Sequence, residues 1–373
     1  MKRLLGVFTL IILFCGISIL GSDAATPRRI LGASGECDTN NAGCISIPLT
    51  VTVKCTVTCA FRTSPSYASA TEFWAAANTG TGACRRSIDS GATWPACTAQ
   101  PFATGANELY AGAADGSVIA VGTTTGPNTC TVRRSTNNAT SWTTVFTLVF
   151  NCNAGNLEGQ RLYCLIDGRC EFVGGASGAS RVFRSSDNGQ TWAAGETGIA
   201  PNCSNAGLAW DGSAGIAPSE ATGCGGGNIA RAFLATGDVW ADSIAWNGTQ
   251  GDCWGSIIWN GVGHAVCQGA SATPDGRYTI RNSVGTNVRS LNLTGAGIAG
   301  IDAGGVAVAP FTDTIYIFAT RSTDTGIWVT RDDALTFTLI GTLTGTMRGG
   351  HAYYANGCVY FTGQASTKFV QIC

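Results

Sequence analysis

The chain has 373 residues, a formal net charge of −1 and 12% charged residues, well below the quarter that is usual for soluble proteins. A near-neutral chain without a basic block argues against nucleic acid as the main partner. Gly is abundant, with 51 copies, but the 45% hydrophobic content excludes a disordered Gly-rich tract.

The N-terminus has the pattern of a secretory signal peptide. Lys2 and Arg3 form a short basic region, residues 4–20 are apolar, and Ser22 and Ala24 are the small residues that a signal peptidase recognises. The alternative is a membrane anchor, for which the apolar run is short, because a span needs about 20 residues. We therefore expect cleavage after Ala24 and a secreted mature chain without a membrane span.

Cysteine usage agrees with export. Of the 17 cysteines, Cys15 lies in the predicted signal peptide, so cleavage leaves an even number. An even number in an exported chain favours disulfides over metal ligation. Cys55 and Cys59 also lack the second cysteine pair that a zinc site would require. We expect neither a metal nor a cofactor.

The first predicted element of the mature chain is a strand over residues 44–54, where Ile45, Ile47, Leu49, Val51 and Val53 alternate with other residues. One pattern then recurs to the end of the chain: an apolar strand, a tight turn, a second strand, a loop, a third strand, another turn and a fourth strand. The first turn of the unit is often Asp-Gly or Asn-Gly, a strong hairpin signal. These turns fall near residues 65, 115, 167, 211, 260, 313 and 356.

The second turn of the unit carries a motif. It reads SIDSGATW at 87–94 and SSDNGQTW at 185–192, with weaker copies at 135–142 and 330–337 and degenerate ones at 236–240 and 281–286. This motif resembles the Asp-box (BNR) repeat of sialidase-like and other β-propellers. A residue that recurs at a hairpin in every unit is structural, because short polar side chains and Gly fix turns. The predicted structural residues are Asp89, Trp94, Asn137, Trp142, Asp187, Trp192, Asp333 and Phe337.

A four-stranded unit of this kind is one propeller blade. There are seven first turns but only six boxes, and the chain stops in the third strand of its last unit. The strand over 44–54 can supply the missing fourth strand. The predicted fold is therefore an all-β propeller of seven four-stranded blades, closed by an N-terminal strand. It forms one domain over 44–373 after a tail over 25–43; six blades are the alternative.

Three cysteine pairs flank predicted turns symmetrically or enclose the first box. Residues at equal distances from a hairpin turn lie opposite each other, within reach of a disulfide. The predicted pairs are Cys84 with Cys97, Cys164 with Cys170, and Cys253 with Cys267.

The ligand is expected on the face opposite the boxes. The two kinds of tight turn share one face of the ring, whereas the longer and more varied loops share the other, and binding usually lies on variable loops held by a rigid scaffold. Arg321 and Arg348 are the first candidates, because Arg can hold a carboxylate through two parallel hydrogen bonds. The full candidate set is Glu158, Arg161, Asp242, Asp252, Trp254, Asp302, Arg321, Arg348 and His351.

The resemblance is to a scaffold, and a fold does not imply a function. Sialidases with this repeat have six blades and an Arg-Ile-Pro segment near the start, whereas residues 28–31 read RRIL and precede the first strand. Neither the arginine triad nor the Tyr-Glu pair of sialidases can be assigned to residues of this chain. Of the two histidines, His264 is expected in a second strand as a packed or surface residue, and His351 begins a first strand.

We interpret the chain as a secreted, disulfide-stabilised and monomeric binding or scaffold module for a glycan or an extracellular protein. The alternatives are a sialidase-like glycoside hydrolase and a structural surface or matrix protein. N-linked glycan acceptor motifs begin at Asn138, Asn202, Asn247 and Asn292, and they matter only if the host modifies them.

Overall fold

The fold is seen in a computed structural model of the chain. The residues it describes are 51–55, 61–65, 71–77, 84–102, 108–123, 129–148, 162–174, 180–199, 209–210, 214–217, 231–234, 239–242, 250–259, 262–269, 277–281, 287–292, 302–309, 314–320, 324–331, 336–345, 350–355, 358–363 and 369–373. The predicted signal peptide and tail lie outside these residues.

Within the described ranges the chain is all-β, and its strands pair only in antiparallel fashion. They form seven separate sheets, which we number by their first strands. Sheet 1 contains β2 (Phe61–Pro65), β3 (Phe73–Ala77) and β4 (Cys84–Ser87). Sheet 2 contains β5 (Leu109–Gly112), β6 (Val118–Thr123), β7 (Cys130–Ser135) and β8 (Thr143–Leu148). Sheet 3 contains β9 (Leu162–Cys164), β10 (Cys170–Gly174), β11 (Ser180–Ser185) and β12 (Ala193–Ile199).

The second half of the chain repeats the arrangement. Sheet 4 contains β13 (Ala209–Trp210), β14 (Ala214–Ala217), β15 (Arg231–Leu234) and β16 (Val239–Asp242). Sheet 5 contains β17 (Gln250–Trp259), β18 (Val262–Gly269), β19 (Arg277–Arg281) and β20 (Asn287–Asn292). Sheet 6 contains β21 (Asp302–Ala309), β22 (Thr314–Thr320), β23 (Asp324–Thr330) and β24 (Thr338–Thr344). Sheet 7 contains β25 (Gly350–Ala355), β26 (Cys358–Gly363), β27 (Phe369–Ile372) and, from the other end of the chain, β1 (Val51–Cys55).

The N-terminal strand β1 is the fourth strand of sheet 7. It pairs with β27, with Val51 opposite Ile372 and Val53 opposite Val370. This is the place that the alternating pattern over 44–54 predicts, and residues 44–50 lie outside the described part of the chain. The strand therefore covers the edge of β27, which would otherwise present unpaired backbone groups.

Sheet 1 departs from the predicted four strands. Its fourth strand is reduced to a single bridge between Arg85 and Ala96. Pro95 has no N–H to donate to a ladder, although its carbonyl accepts a hydrogen bond from the Arg86 N–H at 3.1 Å. The disulfide between Cys84 and Cys97 joins the same two segments.

The hydrophobic core lies between adjacent sheets. Between sheets 2 and 3, the rings of Phe172 and Phe183 stack at 4.6 Å, and Ile119 of sheet 2 belongs to the same cluster. Comparable clusters join sheets 1 and 2, sheets 5 and 6, sheets 6 and 7, and sheets 7 and 1. Both faces of a sheet are therefore buried, which explains the unbroken run of hydrophobic residues at 315–319 in β22.

The first strands of the sheets contact one another. Strand β17 contacts β13, β21 and β25, and β5 contacts β2 and β9. Strand β2 also contacts β25 and β26, so the sheets at the two ends of the chain are neighbours. Since contacts between sheets concentrate on first strands, these strands lie innermost, and the later strands of each sheet lie further out. This arrangement of antiparallel sheets is that of a β-propeller.

Three described hairpins carry disulfides. Cys164 and Cys170 are directly opposite on β9 and β10 and form a disulfide. Cys84 and Cys97 form a second disulfide. The sequence reasoning did not pair Cys358 with Cys373, which form a third disulfide across β26 and the end of the chain. Cys253 and Cys267 are opposite each other on β17 and β18, and their disulfide stays a prediction.

Candidate functional site

Three neighbouring innermost strands carry four of the predicted ligand residues near their N-terminal ends. Asp252 and Trp254 are the third and fifth residues of β17, Asp302 is the first residue of β21, and His351 is the second residue of β25. All three strands contact one another. Because first strands repeat the same role in successive sheets, their N-terminal ends lie at the same end of the sheets. The topology thus brings these four residues to one region.

The two aspartates occupy equivalent positions. Each lies seven residues before the residue that ends its strand, Trp259 or Ala309. Both strands are irregularly paired near the aspartate. In β17 the register shifts between Gln250 and Cys253, where Asp252 lies, and again between Cys253 and Gly255. In β21 it shifts once, between Asp302 and Gly305, and Asp302 itself pairs with Thr320. A β-bulge adds an unpaired residue and turns the strand, and such bulges are common beside functional sites. We define Asp252, Trp254 and Asp302, with the three register shifts beside them, as the inner-strand site.

Asp242 is a candidate that the structure places elsewhere. Asp242 ends β16, the outermost strand of sheet 4, where it is opposite Arg231. The structure therefore separates Asp242 from the innermost strands. Glu158, Arg161, Arg321 and Arg348 lie outside the described residues, so the preference for the two arginines remains a prediction.

The opposite end of the sheets is occupied by three box turns, which we define as residues 87–94, 135–142 and 185–192. In the first, the Ser87 hydroxyl donates to Asp89 Oδ1 at 2.8 Å and accepts from the Gly91 N–H at 2.8 Å. Asp89 also accepts from the backbone N–H of Thr93 at 2.9 Å and from its hydroxyl at 2.6 Å. One serine and one aspartate thus hold the whole turn.

The same hydrogen bonds recur in the other two turns. In the third, Ser185 donates to Asp187 at 2.7 Å, and Asp187 accepts from the Thr191 N–H at 2.9 Å. In the second, Asn137 replaces the aspartate: its Oδ1 accepts from the Ser141 N–H at 3.0 Å, and its Nδ2 donates to the Ser141 hydroxyl at 2.8 Å. An amide therefore serves in place of a carboxylate, which agrees with a structural role for this position. Asp333 lies outside the described residues, and Phe337 packs against the cluster of sheets 5 and 6.

The ionisation of the box aspartates follows from these contacts. For Asp89, partial burial alone would raise the pKa, but hydrogen bonds from Thr93 and Ser87 outweigh it and hold the pKa below its ordinary value of 3.8. The pKa of Asp187 is lowered in the same way by Thr191 and Ser185. These carboxylates are ionised and occupied by structural hydrogen bonds near neutral pH, so they make poor acid catalysts.

Each box turn also packs against the sheet that precedes its own. The Trp142 Nε1–H of sheet 2 donates to the Ala99 carbonyl of sheet 1 at 2.9 Å. A Cβ on Gly189 of sheet 3 would stand 2.4 Å from Ile119 Cδ1 of sheet 2. Arg134 of sheet 2 donates to the Asn188 carbonyl at 2.9 Å and pairs with Asp115. The box turns therefore fix the sheets to one another.

Buried acidic residues form a second group, which sequence reasoning missed. The Glu72 carboxylate pairs with Arg86 at 2.6 Å, and that of Glu171 pairs with Arg184 at 3.2 Å. Glu171 lies in β10 and Glu72 directly precedes β3, and each partner arginine stands directly before a box serine. An arginine before the box serine recurs as Arg86, Arg134 and Arg184, and this repeat was visible in the sequence.

Glu108 and Tyr110 are a further buried pair. The Tyr110 hydroxyl donates to the Glu108 carboxylate, and both residues are at most 2% exposed. Burial, and then the neighbouring negative charge, raise the pKa of Tyr110 well above its ordinary value. Tyr110 packs against Trp142 between sheets 1 and 2, so the pair is part of the core. His264 is likewise buried, in β18, and belongs to the packed interior.

Within the described ranges, no group of three or more His, Cys, Asp or Glu residues is arranged to hold a metal ion. Among the same residues, no helix has the length and hydrophobicity that crossing a membrane requires.

Comparisons with known proteins identify a fold. No protein-family model matches the chain, and no curated protein sequence matches it. A GH74 enzyme from Niastella koreensis has a similar structure, with a TM-score of 0.53 and 16% identity over 86% of this chain and 43% of that chain. A GH74 xyloglucanase from Xanthomonas campestris gives a TM-score of 0.51 and 16% identity over 72% of this chain and 44% of that one.

A weaker likeness, with a TM-score of 0.46 and 12% identity, is to an alpha-L-arabinanase from Penicillium chrysogenum and covers 71% of this chain and 92% of that chain. The chain spans less than half the length of the two GH74 proteins. At this identity, the two GH74 likenesses show a shared fold alone. The chain is a β-propeller protein.

Proposed function

We propose that the chain is an exported Asp-box propeller whose seven sheets close into one ring over residues 44–373. Three observations support this proposal: sheet 1 contacts sheet 7, β1 completes sheet 7, and the box turns share one set of hydrogen bonds. A seventh sheet in the described ranges argues against the six-blade alternative. The disulfides support export, because they persist in oxidising compartments.

We further propose that the protein is a glycoside hydrolase and that the inner-strand site is its active site. The observation that carries this proposal is the placement of Asp252 and Asp302 seven residues before the ends of two contacting innermost strands, each beside a register shift. Glycosidases of most families use two carboxyl groups, separated by about 5–5.5 Å in retaining enzymes and about 6.5–9.5 Å in inverting ones. Aspartates on neighbouring strands suit such a pair.

Each aspartate then has a distinct task. One carboxylic acid protonates the glycosidic oxygen as the bond to the leaving sugar breaks, and the other carboxylate activates water or attacks the anomeric carbon. Trp254, at the second irregularity of β17, supplies an aromatic residue with the large apolar area that a sugar ring can contact. Because one structural neighbour is a xyloglucanase, a neutral polysaccharide is the first substrate to test, ahead of a sialoside.

The second candidate is a glycan-binding module without hydrolysis. The positions of three glutamates favour this candidate, because the carboxylates of Glu72, Glu108 and Glu171 are all buried in internal pairs. The described side chains thus offer no exposed glutamate for catalysis, and hydrolysis depends on the aspartates.

Release of reducing sugars from xyloglucan and arabinan, with a fluorogenic sialoside in parallel, tests the proposal. D252N and D302N should each reduce kcat by about 100-fold or more, because each removes one proton-transfer group. D167N is the matched control: Asp167 is exposed in the turn at the far end of β9, where it pairs with Arg169. Polysaccharide binding without hydrolysis would favour the binding module, and equal activity of all three variants would refute the inner-strand site.

A further inference from the structure

The acceptor motif at Asn138 lies in the second box turn, at a position whose environment differs among the three turns. The equivalent residue of the first turn is Ser90 and that of the third is Asn188, and all three have a left-handed backbone, with φ of 57–58°. Asn138 is exposed, as is Thr140, the hydroxyl residue of the motif. The turn is held by Asn137 and Ser135 instead.

The side chain of Asn138 has no structural task within the described part of the chain, since none of its atoms makes a hydrogen bond there. By contrast, Asn188 lies against the neighbouring turn: a Cβ on Gly168 would stand 3.0 Å from Asn188 Nδ2, and Asn188 Oδ1 is buried. Ser90 hydrogen-bonds Tyr360. Only the second turn therefore combines the motif with an amide that can carry a large substituent without loss of an internal contact.

We propose that Asn138 is an N-glycosylation site whenever the chain passes through a secretory pathway that contains an oligosaccharyltransferase. In this reaction Asn138 Nδ2 bonds to the anomeric carbon of an oligosaccharide carried on a lipid diphosphate. The bond from that carbon to the diphosphate oxygen breaks, the lipid diphosphate leaves, and the amide nitrogen loses one proton. The glycan then projects from the face of the box turns, away from the inner-strand site. This inference is independent of hydrolysis.

The test is secretion of the full chain from a eukaryotic host, followed by N-glycosidase treatment in H2¹⁸O and peptide mapping. We expect ¹⁸O-labelled Asp at position 138 in most molecules. The N138Q variant should lose the mass of one glycan, whereas N188Q, changed at the equivalent position of a turn without the motif, should keep the mass of the wild type. Mapping the Cys84–Cys97 and Cys164–Cys170 disulfides in the same digest verifies folding. An unmodified Asn138 in folded secreted protein, or an unchanged mass of N138Q, would overturn the proposal.

Discussion

Gly91, in the box turn of sheet 1, lies against the ring of Phe369 in sheet 7: a Cβ on Gly91 would stand 2.0 Å from Phe369 Cε1. The ring also packs edge-on against Trp94 at 5.2 Å and near Phe73 at 5.9 Å. Gly91 has a φ of 84°, which favours glycine, but Ala139 occupies the equivalent position of the second box turn at a φ of 59°. The close approach of the Phe369 ring is therefore what sets Gly91 apart. This contact is one of those that join sheet 1 to sheet 7.

We expect G91A to lower the free energy of unfolding by more than about 2 kcal/mol, from left-handed strain of about 1–2 kcal/mol and the clash with Phe369. Urea denaturation of the mature protein measures it. A double-mutant cycle with F369A isolates the clash, because G91A should cost about 1 kcal/mol less when the ring is absent. Equal costs in both backgrounds would mean that Gly91 and Phe369 are not in contact.

The box position tolerates an amide but needs a hydrogen-bonding group. Asn137 already serves in the second turn through the same atoms that Asp89 uses in the first. We therefore expect D89N to change stability by no more than about 0.5 kcal/mol, the usual range for an exposed substitution that keeps its contacts. D89A should cost about 1–2 kcal/mol, because the Thr93 N–H and the Ser87 hydroxyl lose their acceptor. Thermal denaturation of the two variants would show no difference if Asp89 did not hold the turn.

The acid sensitivity of the protein should depend in part on the same aspartates. Since the pKa values of Asp89 and Asp187 are lowered in the folded state, their stabilisation is present above the unfolded value near 3.8 and is lost as the pH falls through the lower folded value. We expect the D89N/D187N variant to lose less stability than the wild type between about pH 5 and pH 2.5. Urea midpoints across this range measure the difference, and parallel curves would contradict it.

The sequence was most informative where structure is local. The hairpin turns, the box residues and the alternating pattern at Val51 and Val53 depend on nearby residues, so strand positions could be predicted from them. The contact of Gly91 with Phe369 could not, since neither residue carries a sign of its partner. The same holds for the reduction of the last strand in sheet 1, which depends on one proline and on tertiary packing.

For the candidate site, residue type and loop position were enough to select Asp252 and Asp302 but not to pair them. Their equivalence appears only when the end points of β17 and β21 and the contact between the strands are known. Asp242 passed the same sequence criteria, yet it ends an outermost strand. The sequence does not show whether a strand is the innermost or the outermost of its sheet.

The last prediction concerns β1, which pairs with β27 beside the buried residues Phe369, Val370 and Ile372. Removing residues through Lys54 takes away most of this strand and leaves the edge of β27 unpaired. We expect the shortened protein to aggregate and its Tm to fall by about 5–10 °C, because each kcal/mol lost lowers Tm by about 2–4 °C in proteins of about 150–250 residues and an exposed edge pairs with other chains. The control is the chain that begins after Ala24, which keeps β1. Light scattering and calorimetry compare the two proteins, and a monomeric product with an unchanged Tm would show that the fold does not depend on the N-terminal strand.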